Sequence, residues 1–269
     1  MNPVTALLLG VLQGVTEFWP ISSSAHLALV LEATGWGGPR TSFIVALHLG
    51  TLAAVVIHYR GRILSLAGAW WRSLLRREEP QGEAHLAWML LLATLPALAI
   101  GALFSRISEE LQGMPLAIAA FMGAFGILLW TVDSLAPSAL TLEGVDWRRA
   151  LAMGMAQSLA LAPGVSRSGA VMCAARAAGL RREDAADFAF LMSVPVIAAA
   201  GVFEAAGLIS EGITARDLLA MGVGTLSSAV AGLLAIRYLL RWLRGRGLAP
   251  FAIYRLAFSL ALVALLLAR

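Results

Sequence analysis

The 269-residue chain contains no lysine, one cysteine and few charged residues of any kind. Its charged fraction of 13% is about half that of a soluble domain, while 59% of its residues are hydrophobic. This composition excludes an ordinary soluble enzyme and indicates an integral membrane protein. The single cysteine, Cys173, excludes an intramolecular disulfide framework and a cysteine zinc cluster.

All twenty basic residues are arginines, and the formal net charge is +4. Most of these arginines lie between apolar segments, so the basic character indicates membrane topology and argues against a nucleic-acid partner. Near the N-terminus, the apolar run of residues 4–12 has no basic segment before it and leads to Gln13 and Glu17, not to a small-residue cleavage site. We therefore expect this region to be part of the mature fold.

Long apolar segments predict six transmembrane helices, since each approaches the length of about 20 residues that crosses a bilayer core. The predicted spans are residues 43–58, 86–103, 116–132, 188–209, 218–238 and 248–268. Two further apolar segments, residues 4–33 and 150–178, are interrupted near the middle by a proline that serines follow. Each half is too short to span, so we predict two re-entrant helical hairpins.

The order of one hairpin and three spans occurs twice. This pattern predicts an all-α polytopic membrane protein with a single membrane domain, residues 1–269, built from two repeats, residues 1–140 and 146–269. Identity between the halves is weak, although Gln13 and Gln157 occupy corresponding positions. An odd number of spans per repeat requires opposite orientations, so we expect an inverted-topology repeat.

The arginines also predict the orientation. If the segment after the first span is cytoplasmic, fourteen arginines lie on the inner side: Arg60, Arg62, Arg72, Arg76, Arg77, Arg148, Arg149, Arg176, Arg181, Arg182, Arg237, Arg241, Arg244 and Arg246. Four lie on the outer side: Arg40, Arg106, Arg216 and Arg269. This asymmetry follows the positive-inside rule and leaves Arg167 and Arg255 within the membrane. It also predicts that the polar turns of the two hairpins meet near the midplane.

The first hairpin carries a carboxylate at membrane depth. Gln13 and Glu17 are four residues apart and share a helix face, where amide and carboxylate oxygens suit a hard cation or a bound water. A polar pair that only packs one hairpin against the other is the alternative. Because a carboxylate in the membrane is costly and usually functional, the functional interpretation is favoured.

Three serines follow the helix break at Pro20 and begin the next helix. Any one of Ser22, Ser23 and Ser24 suits a helix cap better than a nucleophile, but one cap satisfies the turn, and His26 lies close by as a base. A histidine alone would suit packing equally well, and its neighbours favour an acid/base role. Two helix N-termini directed at one place also predict an anion site.

Arg167 is the most informative residue of the second hairpin. A guanidinium at the bilayer centre costs at least about 2.5 to 3.5 kcal/mol on insertion scales, so it needs a partner. Its planar fork of donors fits phosphate oxygens. A salt bridge to Glu17 alone is the alternative, and the two roles are compatible. Four other polar residues lie within or at the ends of spans without a pattern that assigns them to the site: His48, His58, Glu204 and Arg255.

Three motifs make the chain resemble the undecaprenyl pyrophosphate phosphatase family of bacterial membranes over nearly its whole length. Residues 13–17 match the family's pattern of glutamate or glutamine, three residues and glutamate. Residues 20–26 are similar to its proline-x-serine-serine-x-x-histidine segment, and residues 163–168 match its proline-glycine-x-serine-arginine-serine pattern. Three motifs in this order on this architecture make the resemblance specific.

The resemblance implies hydrolysis of a polyprenyl pyrophosphate to the monophosphate at the outer face of the bacterial cytoplasmic membrane, which recycles the carrier lipid for peptidoglycan and other envelope polymers. It also implies a divalent cation, Mg²⁺ or Ca²⁺, and a homodimer. By the same resemblance, Glu17 and Gln13 would hold metal or water. Ser23 would be the nucleophile and His26 the acid/base. The phosphates would be bound by Ser22, Ser24, Ser166, Arg167 and Ser168.

Two residues depart from the family pattern. Val171 replaces a threonine that many relatives have, which removes one hydrogen bond to phosphate, and Gln13 lowers the negative charge of the expected metal site. Whether a phosphoserine forms or water attacks directly stays open.

Two other functions compete with this interpretation. A transporter or flippase for polyprenyl phosphate is the main alternative, because carriers share the inverted repeat. A phosphatidic-acid-type phosphatase is disfavoured, because those enzymes use lysine and a second histidine, and no histidine follows Arg167.

Overall fold

The computed structural model describes residues 1–35, 40–76, 80–208 and 214–268. Within these residues the α-helices are α1 (Pro3–Phe18), α2 (Ser23–Thr34), α3 (Arg40–Arg76), α4 (Glu83–Gln112), α5 (Pro115–Leu135), α6 (Trp147–Ser158), α7 (Arg167–Ala177), α8 (Arg182–Leu208), α9 (Ala215–Leu243) and α10 (Ala249–Leu267). Two short 3₁₀ helices cover Leu142–Gly144 and Leu159–Leu161. The predicted all-α class is confirmed.

Six helices of the described chain are long and apolar enough to cross a membrane, as expected for a polytopic membrane protein. Their candidate spans are Thr41–Leu75, Glu83–Gly101, Pro115–Leu135, Arg182–Val202, Ala215–Leu243 and Ala249–Leu267. Each overlaps one predicted span, and the last residue of predicted span 188–209 lies outside the described residues. Large apolar side chains such as Leu226 and Leu260 are exposed on these helices, which suits contact with lipid.

The boundaries of α3 differ most from the prediction. The predicted span ended before Arg60 and Arg62, but the helix continues to Arg76 through a kink at Tyr59, whose φ and ψ are −98° and 16°. Arginine, leucine and alanine are strong helix formers, so the charged residues end the apolar span without ending the helix.

Two pairs of short helices occupy the segments that were predicted as hairpins. Residues 19–22 join α1 to α2, and residues 159–166 join α6 to α7. Each joining segment ends at a serine with positive φ, 71° at Ser22 and 74° at Ser166. A left-handed backbone is costly for serine, so the packing around both turns must enforce it. The predicted helix breaks fall in these turns.

In each of the two pairs of short helices, the first helix packs against a long helix from the other half of the chain. α1 lies along α9, and α6 lies along α4. Glycines permit both contacts, since a Cβ on Gly10 of α1 would lie 1.9 Å from Ser227 Oγ. A Cβ on Gly154 of α6 would lie 2.3 Å from the carbonyl oxygen of Ala93. Because α3 also contacts α8 and α5 contacts α10, the two halves are interlocked.

The main core surrounds the short helices. Phe18, at the end of α1, packs edge-to-face on Phe190 of α8 with ring centroids 5.2 Å apart. Val171, the residue that departs from the family's threonine, is fully buried in this core on α7. Its side chain therefore packs against apolar neighbours.

A buried carboxylate fixes the ends of several helices. Asp133 of α5 accepts from Arg176 of α7 at 3.1 Å and from Arg182 of α8 at 2.8 Å. Its second oxygen accepts from the backbone amide of Leu248, just before α10, at 2.9 Å. This network joins α5, α7, α8 and the start of α10. It therefore fixes the helices next to the turn between α6 and α7.

Candidate functional site

The turns of the two short helix pairs are in contact, as predicted. Ser168, in the first turn of α7, donates a hydrogen bond to the carbonyl oxygen of Glu17 at 3.0 Å. Arg255 of α10 donates to the carbonyl oxygen of Pro20 in one turn, at 3.2 Å, and to that of Gly164 in the other, at 2.7 Å. Arg255 is 1% exposed, so these bonds are shielded from water and hold the two turns together.

The Glu17 carboxylate is the centre of the polar network between the turns. Its Oε2 accepts from Gln13 Nε2 at 3.0 Å and from Ser23 Oγ at 2.5 Å. Its Oε1 accepts from Arg167 Nη2 at 2.5 Å, so the ion pair considered as the alternative role of Arg167 is present. His48 Nε2 lies 3.7 Å from Oε2. The buried charge is therefore both paired and hydrogen-bonded, as burial at this depth requires.

A cavity of about 340 Å³ opens beside this network. Its polar lining consists of Glu17, Ser23, Ser24, His48, Gln157, Ser158, Ser166 and Arg167. Its apolar lining includes Ile44, Val45 and Leu49 of α3, Ala97 of α4, and Val196, Ile197 and Ala200 of α8. Such a mixture of polar and apolar walls suits a ligand with a charged head and an apolar tail.

The five serines predicted for the site, Ser23 as nucleophile and the other four as phosphate ligands, form two groups. Ser23, Ser24 and Ser166 line the cavity, and Ser24 is the most exposed of the three. Ser166 also caps α7 with its side chain. Ser22 and Ser168 are buried and make hydrogen bonds within and between the turns. Three of the five serines can therefore touch a ligand in the cavity, and the other two shape the turns.

The structure does not bring His26 into the Glu17 network. Its Nδ1 lies 2.7 Å from the carbonyl oxygen of Ser22, which can only accept, so Nδ1 carries the proton. Its Nε2 lies 2.6 Å from the hydroxyl of Tyr254, which then donates. His26 lines a second cavity of about 430 Å³, whose aromatic lining includes Trp19, Tyr238, Trp242, Phe251 and Tyr254. Both ring nitrogens are therefore engaged away from Ser23.

Three polar residues of the cavity lining were not assigned to the site from the sequence: His48, Gln157 and Ser158. His48 donates from Nδ1 to the carbonyl oxygen of Ile44 at 2.8 Å, which leaves Nε2 as the nitrogen near Glu17. No motif surrounds His48, and only its polarity within an apolar span marked it. Gln157 could have been predicted as a site residue, because it occupies the position of the second repeat that corresponds to Gln13 in the first.

The remaining polar residues of the spans lie elsewhere. The ring of His58 packs 4.7 Å from that of Tyr59, and Arg255 contacts the turns. The side chain of Glu204 lies outside the described residues. These three residues therefore add no described group to the cavity lining.

The group around Glu17 also contains the candidate metal ligands. Gln13 Oε1 is buried and has no hydrogen-bond partner in the described chain. Amide and carboxylate oxygens are ligands that Mg²⁺ and Ca²⁺ prefer. Among the described residues, no cluster of three or more histidine, cysteine, aspartate or glutamate side chains is arranged for a metal ion. Of Glu17 and Gln13, only Glu17 lines the cavity, and Gln13 is fully buried outside its lining, so a cation here would take its phosphate and water ligands on the side of Glu17.

The fold and the site define a class: a multi-pass membrane protein whose buried carboxylate–arginine pair borders a cavity suited to an anionic amphiphile. The chain belongs to the bacitracin resistance protein BacA family, which it matches over residues 6–261. It is 42% identical over 268 residues to undecaprenyl-diphosphatase 2 of Stutzerimonas stutzeri (strain A1501), with 98% of each chain covered. It is 41% identical over 268 residues to undecaprenyl-diphosphatase of Myxococcus xanthus (strain DK1622), which covers 99% of this chain and 90% of that relative. The predicted family is confirmed.

Proposed function

We propose that this chain hydrolyses undecaprenyl pyrophosphate, or a related polyprenyl pyrophosphate, to the lipid monophosphate and inorganic phosphate. The observation that carries the proposal is the contact of Glu17 with both Ser23 and Arg167 at the cavity. One acid thus touches a hydroxyl that can attack phosphorus and a cation that can bind phosphate. Two relatives that align over almost the entire chain are named for this activity.

Arg167, Ser24 and Ser166 are assigned to phosphate binding. A planar guanidinium can contact two phosphate oxygens at once. Because α2 and α7 begin at the turns, their first backbone amides and their dipoles favour an anion there. Ser24 and Ser166 add hydroxyl donors. The apolar walls from α3 and α8 would contact the first part of the polyprenyl tail, and the rest would lie in the bilayer.

Ser23 is the proposed nucleophile and Glu17 the proposed base. Ser23 Oγ already donates to Glu17 Oε2, so the carboxylate can take the proton as Oγ attacks the terminal phosphorus. The Oγ–P bond forms, the bond from phosphorus to the bridging oxygen breaks, and the lipid monophosphate leaves. Water then attacks the phosphoserine and gives a proton to His48. The new O–P bond forms, the Oγ–P bond breaks, and Glu17 returns its proton to Oγ as inorganic phosphate departs. Arg167 stabilises the charge on the transferring phosphate.

Glu17 and Gln13 are the residues that would hold the divalent cation implied by the family. When bound, the cation would supply positive charge that offsets the charge of the phosphates. Gln13 supplies an oxygen without a charge, so the protein contributes less to cation affinity here than two glutamates would.

We assign different roles to the two histidines near the site. His48 Nε2 lies near Glu17 at the cavity, and in the protonated form of the ring it can give its proton to the oxygen of the leaving lipid phosphate. The neutral ring can then take a proton from the attacking water. His26 links the carbonyl of Ser22 to the hydroxyl of Tyr254, so it would position the turn that carries Ser23. This assignment differs from the acid/base role that the resemblance implies for His26.

We further propose that the short helix pairs are re-entrant hairpins of an inverted repeat. Two observations support this architecture. Ser22 and Ser166 share a positive φ, and they are as far apart in the sequence as Gln13 and Gln157. The packing between the halves is also symmetric. α1 of the first half packs on α9 of the second half, and its counterpart α6 of the second half packs on α4 of the first half.

Residues 1–140 and 146–269 would then face opposite directions, with the cavity open to the outer side of the bacterial cytoplasmic membrane. The distribution of arginines supports this orientation. On that side the reaction would recycle the carrier lipid for peptidoglycan and other envelope polymers. The homodimer implied by the family stays a prediction. Lipid transport is not favoured, since both relatives are named for hydrolysis.

The test is release of inorganic phosphate from farnesyl and undecaprenyl pyrophosphate by the purified protein in detergent, with Mg²⁺, Ca²⁺ or a chelator. We expect cation-dependent release that Arg167→Ala abolishes and that Arg216→Ala, a change at an exposed arginine of α9, leaves intact. No release from folded wild-type protein would overturn the proposal, and vesicle assays of lipid movement would then test transport. Normal turnover by Arg167→Ala would overturn the assigned site.

A further inference from the structure

Gln157, near the end of α6, is buried without a partner. The residue is 3% exposed, and in the described part of the chain neither Nε2 nor Oε1 has a hydrogen-bond partner. The side chain nevertheless lines the cavity that also contains Glu17 and Arg167. A buried amide without partners destabilises a fold, and such groups are rare in native proteins unless a ligand or water completes them.

The comparison with Gln13 shows what is unusual about Gln157. Gln13, its counterpart on α1, donates to the carboxylate of Glu17, four residues later in the chain. The position four residues after Gln157 is Leu161, so the second half supplies no carboxylate there. The amide of Gln157 thus has no partner of the kind that Gln13 has, and its place in the cavity wall makes it available to a ligand.

The chemistry of the amide indicates which part of a ligand it contacts. Arg167, Ser23 and Glu17 already provide a cation, a nucleophile and a base for the phosphate that is transferred. The phosphate that stays on the lipid needs hydrogen-bond donors and neither a base nor a nucleophile. An amide N–H supplies such a bond without adding charge to the membrane interior. The neighbouring Ser158 instead donates to the carbonyl oxygen of Gly154 at 3.1 Å.

We propose that Gln157 binds the phosphate that remains on the lipid, which makes it a substrate-binding residue for the phosphatase activity proposed above, on which this inference rests. The same contact would hold the single phosphate of the product. Gln157 would therefore distinguish a phosphorylated lipid from inorganic phosphate.

The first test is Gln157→Met, which keeps the length of the side chain and removes both unpartnered atoms. We expect a thermal midpoint equal to or above that of wild type, because an unsatisfied amide has been removed. We also expect KM for farnesyl pyrophosphate to rise about tenfold or more, since a hydrogen bond to a charged group is lost. The turnover number should change by less than about threefold. Ser158→Ala, the matched control at the same wall, should leave KM unchanged.

Inhibition by the two products locates the contact. In Gln157→Met, inhibition by farnesyl monophosphate should weaken by the same factor as KM, while inhibition by inorganic phosphate should not change. An unchanged KM, or a lower thermal midpoint with equal loss for every ligand, would overturn the proposal in favour of a structural role. Weaker inhibition by inorganic phosphate as well would place Gln157 at the transferred phosphate and would also overturn it.

Binding without turnover separates this inference from the proposed function. The thermal shift caused by farnesyl monophosphate can be measured whether or not the protein releases phosphate. If wild type binds the lipid but does not hydrolyse the pyrophosphate, and Gln157→Met binds it less tightly, the proposed function fails and the role of Gln157 stands. If both proteins hydrolyse and bind alike, the role of Gln157 fails and the proposed function stands.

Discussion

Glu17 uses its two carboxylate oxygens for different partners, and this division assigns separate tasks to its neighbours. Ser23 reaches one oxygen and Arg167 the other. A Glu17 variant would remove the base and the counter-charge of Arg167 together, so its effect could not be attributed to either. Substitution of Ser23 removes only the hydroxyl, which makes it the more informative change at this site.

Ser23→Ala should lower phosphate release by at least about 10³-fold while the protein stays folded, because the proposed nucleophile is lost. Acid-quenched reactions with terminally labelled substrate should place the label on the wild-type peptide that contains Ser23. Ser24→Ala should mainly raise KM, since Ser24 lines the cavity as a proposed phosphate ligand and is not the proposed nucleophile. Substantial turnover by Ser23→Ala, with no labelled wild-type peptide, would indicate direct attack by water.

The two histidines should respond differently to substitution. His48→Gln should lower kcat by at least about 10²-fold with little change in KM or thermal midpoint, because a proton donor at the leaving group is lost. His26→Gln should lower the thermal midpoint together with the rate, because His26 is placed against Ser22 and Tyr254, away from the Glu17 carboxylate. The measurement is kcat, KM and the thermal midpoint for both variants and wild type. The opposite pattern would restore the acid/base role to His26.

At the scale of the elements, the site depends on how closely α1 approaches α9. The approach is set by small residues, since a Cβ on Gly10 would also lie 2.4 Å from the carbonyl oxygen of Gly224. α1 carries Gln13 and Glu17, so any displacement of this helix moves the carboxylate relative to Arg167 on α7. Precision at the site thus depends on helix packing at residues outside the cavity lining.

Gly10→Ala should destabilise the protein by about 1 to 3 kcal/mol and lower activity, because the added methyl group has no room. Gly222→Ala on α9 is the matched control, since a Cβ there meets no atom within 4 Å among the described residues. Thermal midpoints in detergent and initial rates would be measured for both. Equal stability of the two variants would show that α1 and α9 are not held at this distance in solution.

At the scale of the whole molecule, orientation decides which side of the membrane the cavity serves. The predicted topology places Gln81, between α3 and α4, in the cytoplasm and Gly113, between α4 and α5, outside. Both residues are exposed in the structure. The native Cys173 is buried and can be replaced to provide a cysteine-free background.

In a Cys173→Ala background, an impermeant thiol reagent added to intact cells should label Gly113→Cys and should not label Gln81→Cys. Gln81→Cys should become labelled only after the membrane is permeabilised. The reverse pattern would invert the topology and place the cavity on the cytoplasmic side.

Local signals explain which parts of the fold and the site were predicted from the sequence. Apolar length gave the six spans, and prolines followed by serines gave both turns. A buried cation requires a partner, so the pair of Arg167 and Glu17 followed from the same reasoning. The separation of His26 from Ser23 depends on α10, whose Tyr254 and Phe258 surround the imidazole ring. Such long-range packing cannot be predicted from the spacing of residues within a motif. The position of His48 in the cavity lining could not be predicted for the same reason.

The interlocked halves also have a consequence for biosynthesis. α1 leaves the ribosome long before α9, along which it packs, and before Arg255, which holds the turn after α1. A nascent chain that stops before α9 would contain Glu17, Ser23 and Arg167 without an assembled cleft. Activity should therefore arise only after α9 and α10 have been made, although Glu17, Ser23 and Arg167 enter the membrane earlier.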